Sequence, residues 1–360
     1  MRPGKVAVIG AGAWGTALAK SIAEKGSPTV IWCRREEQAA EINSTHKNSR
    51  YLGDIKLPEG LSATGDIEEA ADGKEYMILA APSLYLLEQV KRLLNVSSIR
   101  EGQTAIAVIT KGFLPSPSGP RLIIDTLEDY LPGFYNGRLV YISGPSHAEE
   151  VARGKITGLI AASRSARESI RFRYLLKSKS LLVFSSLDVR GVQVAAAVKN
   201  VIAIAFGVLD ALKTQKYRPR LGEIRDVFGD NTGSLLLAAG LNEIQSLGLA
   251  MGATHAETFT SIAGVGDLDV TCRSVYGRNR RFGREIIEKQ ILAPYKNIDD
   301  LIAKIDGIGY MPEGIAACRH VNCLQEKHKL KMPICSLVYH ILNRDVKAEN
   351  ALNNYLNKLR

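Results

Sequence analysis

Three groups of residues in this 360-residue chain have types and spacings that could do chemistry. The first is Gly10-Ala11-Gly12-Ala13-Trp14-Gly15, a G-x-G-x-x-G that follows the apolar run Val6–Ile9 and precedes helical spacing over Thr16–Glu24. In that setting Gly10 permits a tight turn, Gly12 lets a pyrophosphate approach the backbone, and Gly15 lets helix and strand pack closely. The helix start adds unpaired N–H groups and a positive dipole end. About 20 positions on, a dinucleotide site chooses its cofactor. There the chain reads Trp32-Cys33-Arg34-Arg35-Glu36-Glu37. Arg34 and Arg35 could pair with the 2′-phosphate of NADP, Glu36 leaves NAD open, and the two arginines could equally be solvated at a helix start.

The second group is one lysine inside an apolar helix, Ala195-Ala196-Ala197-Val198-Lys199-Asn200-Val201. A buried ammonium needs a partner or a lowered pKa. A lysine held this way can protonate a carbonyl oxygen as hydride arrives and deprotonate the alcohol in reverse. Gly264-Val265-Gly266-Asp267-Leu268 offers a carboxylate from a glycine-rich turn. A plain buried ion pair is the alternative reading. The third group is basic: Arg273, Arg278, Arg280, Arg281 and Arg284 crowd one segment. A guanidinium fork suits a phosphate dianion. Most of these are expected on a solvated helix face, with a ligand role for Arg278.

These residues need elements to hold them. Short β-rich runs occur at Val6–Ile9, Thr29–Cys33, Met77–Ala81, Thr104–Thr110, Leu139–Ser143, Ile156–Ala161 and Leu181–Ser185, with helical segments between most of them. Such alternation predicts a parallel, doubly wound sheet. From Val189 onward the periodicity is helical, over Val192–Leu212, Thr232–Met251, Ala256–Ile262, Arg278–Lys289, Glu313–His328 and Ile334–Leu342. The expected fold is an α/β Rossmann-type doubly wound N-terminal domain over residues 1–188 and an all-α C-terminal domain over 189–360. Ser116–Pro120 and Lys213–Asp230 read as loops.

Composition bounds the partners. Hydrophobic residues are 46 % and charged residues 23 %, an ordinary globular balance. The net charge is 47 − 37 = +10 with a pI near 9.3, which favours anionic ligands. Five cysteines without a C-x-x-C pair fit reduced thiols and a cytoplasmic protein. The longest apolar stretch, Val192–Leu212, is broken by Lys199, Asn200 and Asp210, so no membrane span is expected. No metal site is expected either, because Cys318, His320, Cys323 and His328 match no standard ligand spacing. The basic stretch Arg164–Lys179 reads as a solvated helix face. Nucleic-acid binding is the weakest reading of the charge.

The chain resembles the soluble, bacterial-type NAD(P)-dependent glycerol-3-phosphate dehydrogenases over nearly its whole length. The resemblance rests on the glycine loop, Thr110-Lys111-Gly112, Gly144-Pro145-Ser146 with Ala148–Ala152, and Val198-Lys199-Asn200-Val201. It continues through Gly229-Asp230-Asn231, Gly266-Asp267-Leu268, Thr271-Cys272, Gly277–Gly283, Pro312-Glu313-Gly314 and Met332-Pro333-Ile334. It implies Lys199 as general acid/base and Asp267 as the carboxylate beside it. It implies that Lys111 meets both substrate and cofactor. Gly144, Ser146, Gly277, Arg278 and Asn279 would contact the substrate, the last two holding its phosphate. Gly10, Gly12, Ala13, Trp14, Gly15, Arg34, Arg35, Tyr51, Ala148, Arg278, Met311 and Glu313 would lie on the cofactor side.

The implied substrates are dihydroxyacetone phosphate and sn-glycerol 3-phosphate, in the service of glycerophospholipid synthesis, with NAD or NADP as cofactor and a homodimer as assembly. The substrate would sit in a cleft between the domains. Four departures stand out: His147 in place of a usual phenylalanine, Ala239 in place of an arginine, Gly277 in place of a serine, and a longer Lys213–Phe228 stretch. A related two-domain hydroxyacid dehydrogenase and a non-catalytic NADP-binding sensor are the alternatives. The intact Lys199, Asp267 and Arg278 argue against the sensor.

Overall fold

The computed structural model describes residues 4–213, 228–348 and 350–351. The body of the long basic stretch, residues 214–227, therefore lies outside the described residues, as does the C-terminal Asn357–Arg360. The chain forms two compact units. One comprises Met1–Leu114 and Arg121–Val192, the other Pro115–Pro120 and Gln193–Arg360.

The first unit is built on ten strands: β1 (Val6–Ile9), β2 (Thr29–Trp32), β3 (Leu61–Thr64), β4 (Tyr76–Leu79), β5 (Ala105–Val108), β6 (Phe113–Leu114), β7 (Arg121–Leu122), β8 (Val140–Ser143), β9 (Thr157–Ala162) and β10 (Leu181–Ser186). Eight of them form one sheet in the order β10-β9-β8-β5-β4-β1-β2-β3, while β6 and β7 make a small hairpin. β1, β4, β5 and β8 are buried at every position, as apolar runs covered on both faces should be. Helix Ala13–Ala23 lays Leu18 and Ile22 on the sheet, and Phe172 and Leu176 cover the β9–β10 end. β1 pairs in parallel with both β2 and β4. Strand order reverses there, and ligands of such sheets bind outside the carboxyl ends of the strands at that crevice.

The sheet is not wholly parallel, which corrects the sequence expectation: β8 and β9 pair antiparallel, Ile142 opposite Ala161. The link between them carries only the five-residue helix Ala148–Ala152. A parallel return is usually made by a full crossover helix, which this link lacks. Strand β3 was not visible as a β-rich run because Leu-Ser-Ala-Thr is short and weakly β-forming.

All regular elements described in the second unit are helical. Its axis is the helix Val189–Lys213, which is 25 residues long and begins at the end of the first unit. By length and composition alone its most apolar window would let it cross a membrane. That window is wholly buried within the protein, which makes it a core helix. Helices Asp230–Ala250, Asp267–Arg273, Arg278–Glu288, Ile298–Ala303, Gly314–Lys327 and Pro333–Leu342 accompany it.

Two glycines set one crossing. A Cβ on Gly207 would lie 2.0 Å from the Arg280 carbonyl, and one on Gly283 would lie 2.1 Å from the Ile204 carbonyl. Helices Val189–Lys213 and Arg278–Glu288 therefore touch backbone to backbone, which only glycine allows. Arg280 Nε donates to Asp210 at 2.5 Å across the same pair. The predicted helix Ala256–Ile262 is instead Glu257–Thr260 followed by a π-helical turn, Ile262–Gly266. Asp267 accordingly opens a helix rather than sitting in a loose turn.

Candidate functional site

In the first unit the glycine loop leaves β1 through Gly10, whose φ of +126° an L side chain rarely adopts. A Cβ on Gly15 would lie 2.1 Å from the Gly10 carbonyl, so strand and helix meet there without room for a methyl. Gly12 is different: a Cβ there would meet nothing within 4 Å. The protein's own packing does not require glycine at this position, and the open space is what a closely approaching ligand would need. Gly12 also caps the helix Ala13–Ala23 without a side-chain hydrogen bond, and the first turn holds no acidic residue. The N–H groups and dipole of the helix start are thus available to an anion. These features fit a dinucleotide pyrophosphate.

The other first-unit candidates follow neighbouring strand ends. Past β2, Cys33 is buried and its thiol is pushed up to about 12 by burial, although Arg35 opposes the shift, so it stays neutral. Arg34 is exposed and lies over the Tyr85 ring at 5.7 Å. Arg35 is half-buried and caps the helix Glu36–Thr45, whose first turn holds Glu36 and Glu37. Lys111 is half-buried beyond β5. Gly144 follows β8 with φ +129°, and its carbonyl accepts from Ser146 Oγ at 2.9 Å. Ala148 is buried in the core at the start of the short helix after His147. Trp14 is half-buried against the same core, and Tyr51 is exposed with Arg50 over its ring at 5.8 Å.

In the second unit the sequence-predicted pair is in place. Lys199 is 4 % exposed and Asp267 is 1 % exposed, and Lys199 Nζ donates to Asp267 Oδ1. Lys199 Nζ also donates to Thr271 Oγ1 at 2.8 Å, and Thr271 Oγ1 donates to the Asp267 carbonyl at 2.6 Å. Sequence reasoning gave Thr271 no role. The signal was present, since Asp267 and Thr271 are four apart and share one face of a helix. Cys272, next to Thr271, is held up to about 12 by burial, partly offset by the Lys199 charge.

The remaining second-unit candidates are contiguous with this pair. Asn200, adjacent to Lys199, accepts from Asn279 Nδ2 at 3.0 Å, and Asn279 Oδ1 accepts from Gly314 N at 2.9 Å. The Asn279 side chain thus joins the start of helix Gly314–Lys327 to the lysine helix, which brings Glu313, its capping residue, and half-buried Met311 into the same neighbourhood. Gly277 caps the helix Arg278–Glu288. A Cβ on it would stand 2.8 Å from the Thr271 carbonyl, so the glycine found here in place of serine fits a tight contact. Arg278 and Asn279 occupy the first turn, where backbone N–H groups lack helical acceptors.

Arg273 pairs with Asp269, Arg280 with Asp210, Arg281 with Glu285 and Arg284 with Glu288. Among the described residues Arg278 has no carboxylate partner, and it is exposed. Cys318 and His320 are buried, Cys323 is exposed, and no group of three metal-ligating side chains occurs among the described residues.

A parallel-dominated sheet with a glycine loop at its switch point, joined in sequence to a helical unit with a buried lysine–carboxylate pair, defines an NAD(P)-dependent oxidoreductase of the dehydrogenase class. Family models settle the family. The model for the NAD-dependent glycerol-3-phosphate dehydrogenase N-terminus matches residues 5–169, and that for the C-terminus matches residues 188–353. A glycerol-3-phosphate dehydrogenase [NAD(P)+] of Treponema denticola is 56 % identical, over 98 % of this chain and 98 % of its own. One from Clostridium perfringens is 35 % identical, over 97 % and 96 %. The crystal structure of glycerol-3-phosphate dehydrogenase from Coxiella burnetii superposes with a TM-score of 0.83 at 31 % identity, covering 98 % of each chain. The chain belongs to the NAD-dependent glycerol-3-phosphate dehydrogenase family.

Proposed function

We propose that the protein catalyses reversible hydride transfer between NAD(P)H and dihydroxyacetone phosphate, giving sn-glycerol 3-phosphate. The observation that carries this reading is the buried Lys199–Asp267–Thr271 set, connected through Asn200 to Asn279 and the arginine-bearing helix start. Lys199 protonates the carbonyl oxygen during reduction and takes the proton from the alcohol in reverse. Asp267 and Thr271 fix the direction of the ammonium. Arg278, with the backbone at Asn279 and Gly277, holds the substrate phosphate. Lys111, Gly144 and Ser146 are the other proposed substrate-side residues.

The bound dinucleotide supplies or accepts the hydride. Gly10, Gly12, Ala13, Trp14 and Gly15 receive its pyrophosphate. Arg34, Arg35, Tyr51, Lys111, Ala148, Arg278, Met311 and Glu313 are the other cofactor-side residues, with Arg34 and Arg35 placed to meet a 2′-phosphate. Residues 1–188 form the dinucleotide-binding domain and residues 189–360 the substrate domain. The protein works as a cytoplasmic homodimer that makes the backbone of glycerophospholipids.

The test is the oxidation of NADH and of NADPH in the presence of dihydroxyacetone phosphate, with a hydroxyacid–ketoacid pair as comparison. Turnover with the phosphate ester and none with the ketoacid is expected. Preference for the carboxylate would overturn the substrate assignment. If Arg34 reads the 2′-phosphate, Arg34→Ala raises the KM for NADPH and leaves that for NADH unchanged; equal effects on both would remove that role.

A further inference from the structure

The glycine loop is held from behind by a buried polar cluster that none of the roles above uses. Asn48 is fully buried, Thr16 is fully buried, and Gln38 is 8 % exposed. Gln38 Nε2 donates to the Ala11 carbonyl at 2.7 Å and to Asn48 Oδ1 at 3.1 Å. Asn48 Nδ2 donates to the same Ala11 carbonyl at 3.0 Å and to Thr16 Oγ1 at 2.8 Å. Two side-chain amides from separate segments therefore converge on one peptide oxygen, in the middle of the G-x-G turn. A carbonyl can only accept, so both groups facing it must be NH₂, and the Asn48 and Gln38 orientations follow.

In a trans peptide the C=O and the following N–H point in opposite directions. Drawing the Ala11 oxygen toward the buried amides therefore turns the Gly12 N–H away from them, and a Cβ on Gly12 would meet nothing within 4 Å. Asn48 is also the residue that opens the short helix Ser49–Leu52, which carries Arg50 and Tyr51. The same amide thus ties the pyrophosphate loop to the segment presenting Tyr51. We propose that Asn48 and Gln38 are positioning residues for dinucleotide binding: they clamp the Ala11–Gly12 peptide so that its N–H faces the pyrophosphate. This rests on the reading that the glycine loop binds NAD(P).

The test compares Asn48→Asp, which keeps shape but replaces a donor with an acceptor, with Gln38→Met, which keeps length and removes the donor. Dinucleotide Kd is read by NADH and NADPH fluorescence titration, alongside Tm and a split of KM against kcat. Asn48→Asp is expected to raise the dinucleotide Kd by about tenfold or more, a loss of about 1.4 kcal/mol or more, and Gln38→Met by about three- to tenfold. At saturating cofactor, kcat and the KM for dihydroxyacetone phosphate should stay within about twofold of wild type, as expected when only ground-state cofactor binding is lost.

If Asn48→Asp does not fold, Gln38→Met and Gln38→Glu carry the same test. Folded variants with a lowered Tm but an unchanged dinucleotide Kd would overturn the clamp and leave the cofactor reading intact. Wild-type protein that binds neither nucleotide would overturn the cofactor reading and the clamp with it.

Discussion

The two halves of the candidate machinery are made of opposite materials. In the first unit the glycine loop offers mainly backbone, with no side chain at Gly10, Gly12 and Gly15. In the second unit the centre is a set of charged and polar side chains taken almost completely out of water, with Lys199 and Asp267 68 residues apart in sequence. A dianionic pyrophosphate is well served by fixed N–H groups that need no titration. Proton transfer needs a group that can titrate, and burial needs a partner to keep it charged. The difference predicts how each half breaks.

The largest effect on stability is expected in the second unit. Asp267→Ala leaves the Lys199 ammonium buried without its carboxylate, which should cost about 3–5 kcal/mol, whereas replacing both members by apolar residues of similar volume should cost much less. Denaturant titration of the single variant against Lys199→Met/Asp267→Leu reads that difference. A single variant as stable as wild type would show that the pair is solvated in solution.

The glycine loop should break in two distinguishable ways. Gly15→Ala drives a methyl onto the Gly10 carbonyl, so it should lose about 1–3 kcal/mol of stability. Gly12→Ala has space, so Tm should hold while the dinucleotide Kd rises about tenfold or more. Equal effects of the two variants on Tm would contradict the assignment of the Gly12 opening to a ligand.

Thr271→Val removes the hydroxyl that accepts from Lys199 and should cost about 1–2 kcal/mol together with a lower kcat, while Thr271→Ser should restore both. Smallest at neutral pH, where it vanishes, is a pH dependence of stability. His320 is pushed down to about 4 by burial, reinforced by Arg319, from an ordinary 6.5. The unfolded chain takes up its proton more readily, so this contribution is fully present above pH 6.5 and is lost as pH falls toward 4. It amounts to about 3 kcal/mol at most. His320→Gln should flatten that part of the stability profile.

The contrast between the halves also governs what the sequence made legible. The glycine spacing announced the first site because its steric demands fall within six consecutive residues. Lys199 was legible by necessity, as the one lysine within the apolar stretch Val192–Leu212, and Asp267 as a candidate carboxylate from a glycine-rich turn. The clamp of Asn48 and Gln38 on Ala11 was not legible, because it joins three segments that only the folded sheet brings together. The antiparallel β8–β9 pair was missed because the apolar runs give strand identity but not direction. The π-helical turn before Asp267 was missed because local glycine spacing reads as a loop until its packing against Phe259 is known.

The central claim is that Lys199 carries the proton while the glycine loop independently holds the cofactor. Its most direct test is Lys199→Ala, measured for dinucleotide Kd by fluorescence titration and for dihydroxyacetone phosphate-dependent oxidation of NADH and NADPH. The account predicts turnover reduced by about 10²- to 10⁴-fold with dinucleotide affinity within about twofold of wild type. Near-wild-type turnover in that variant would contradict it.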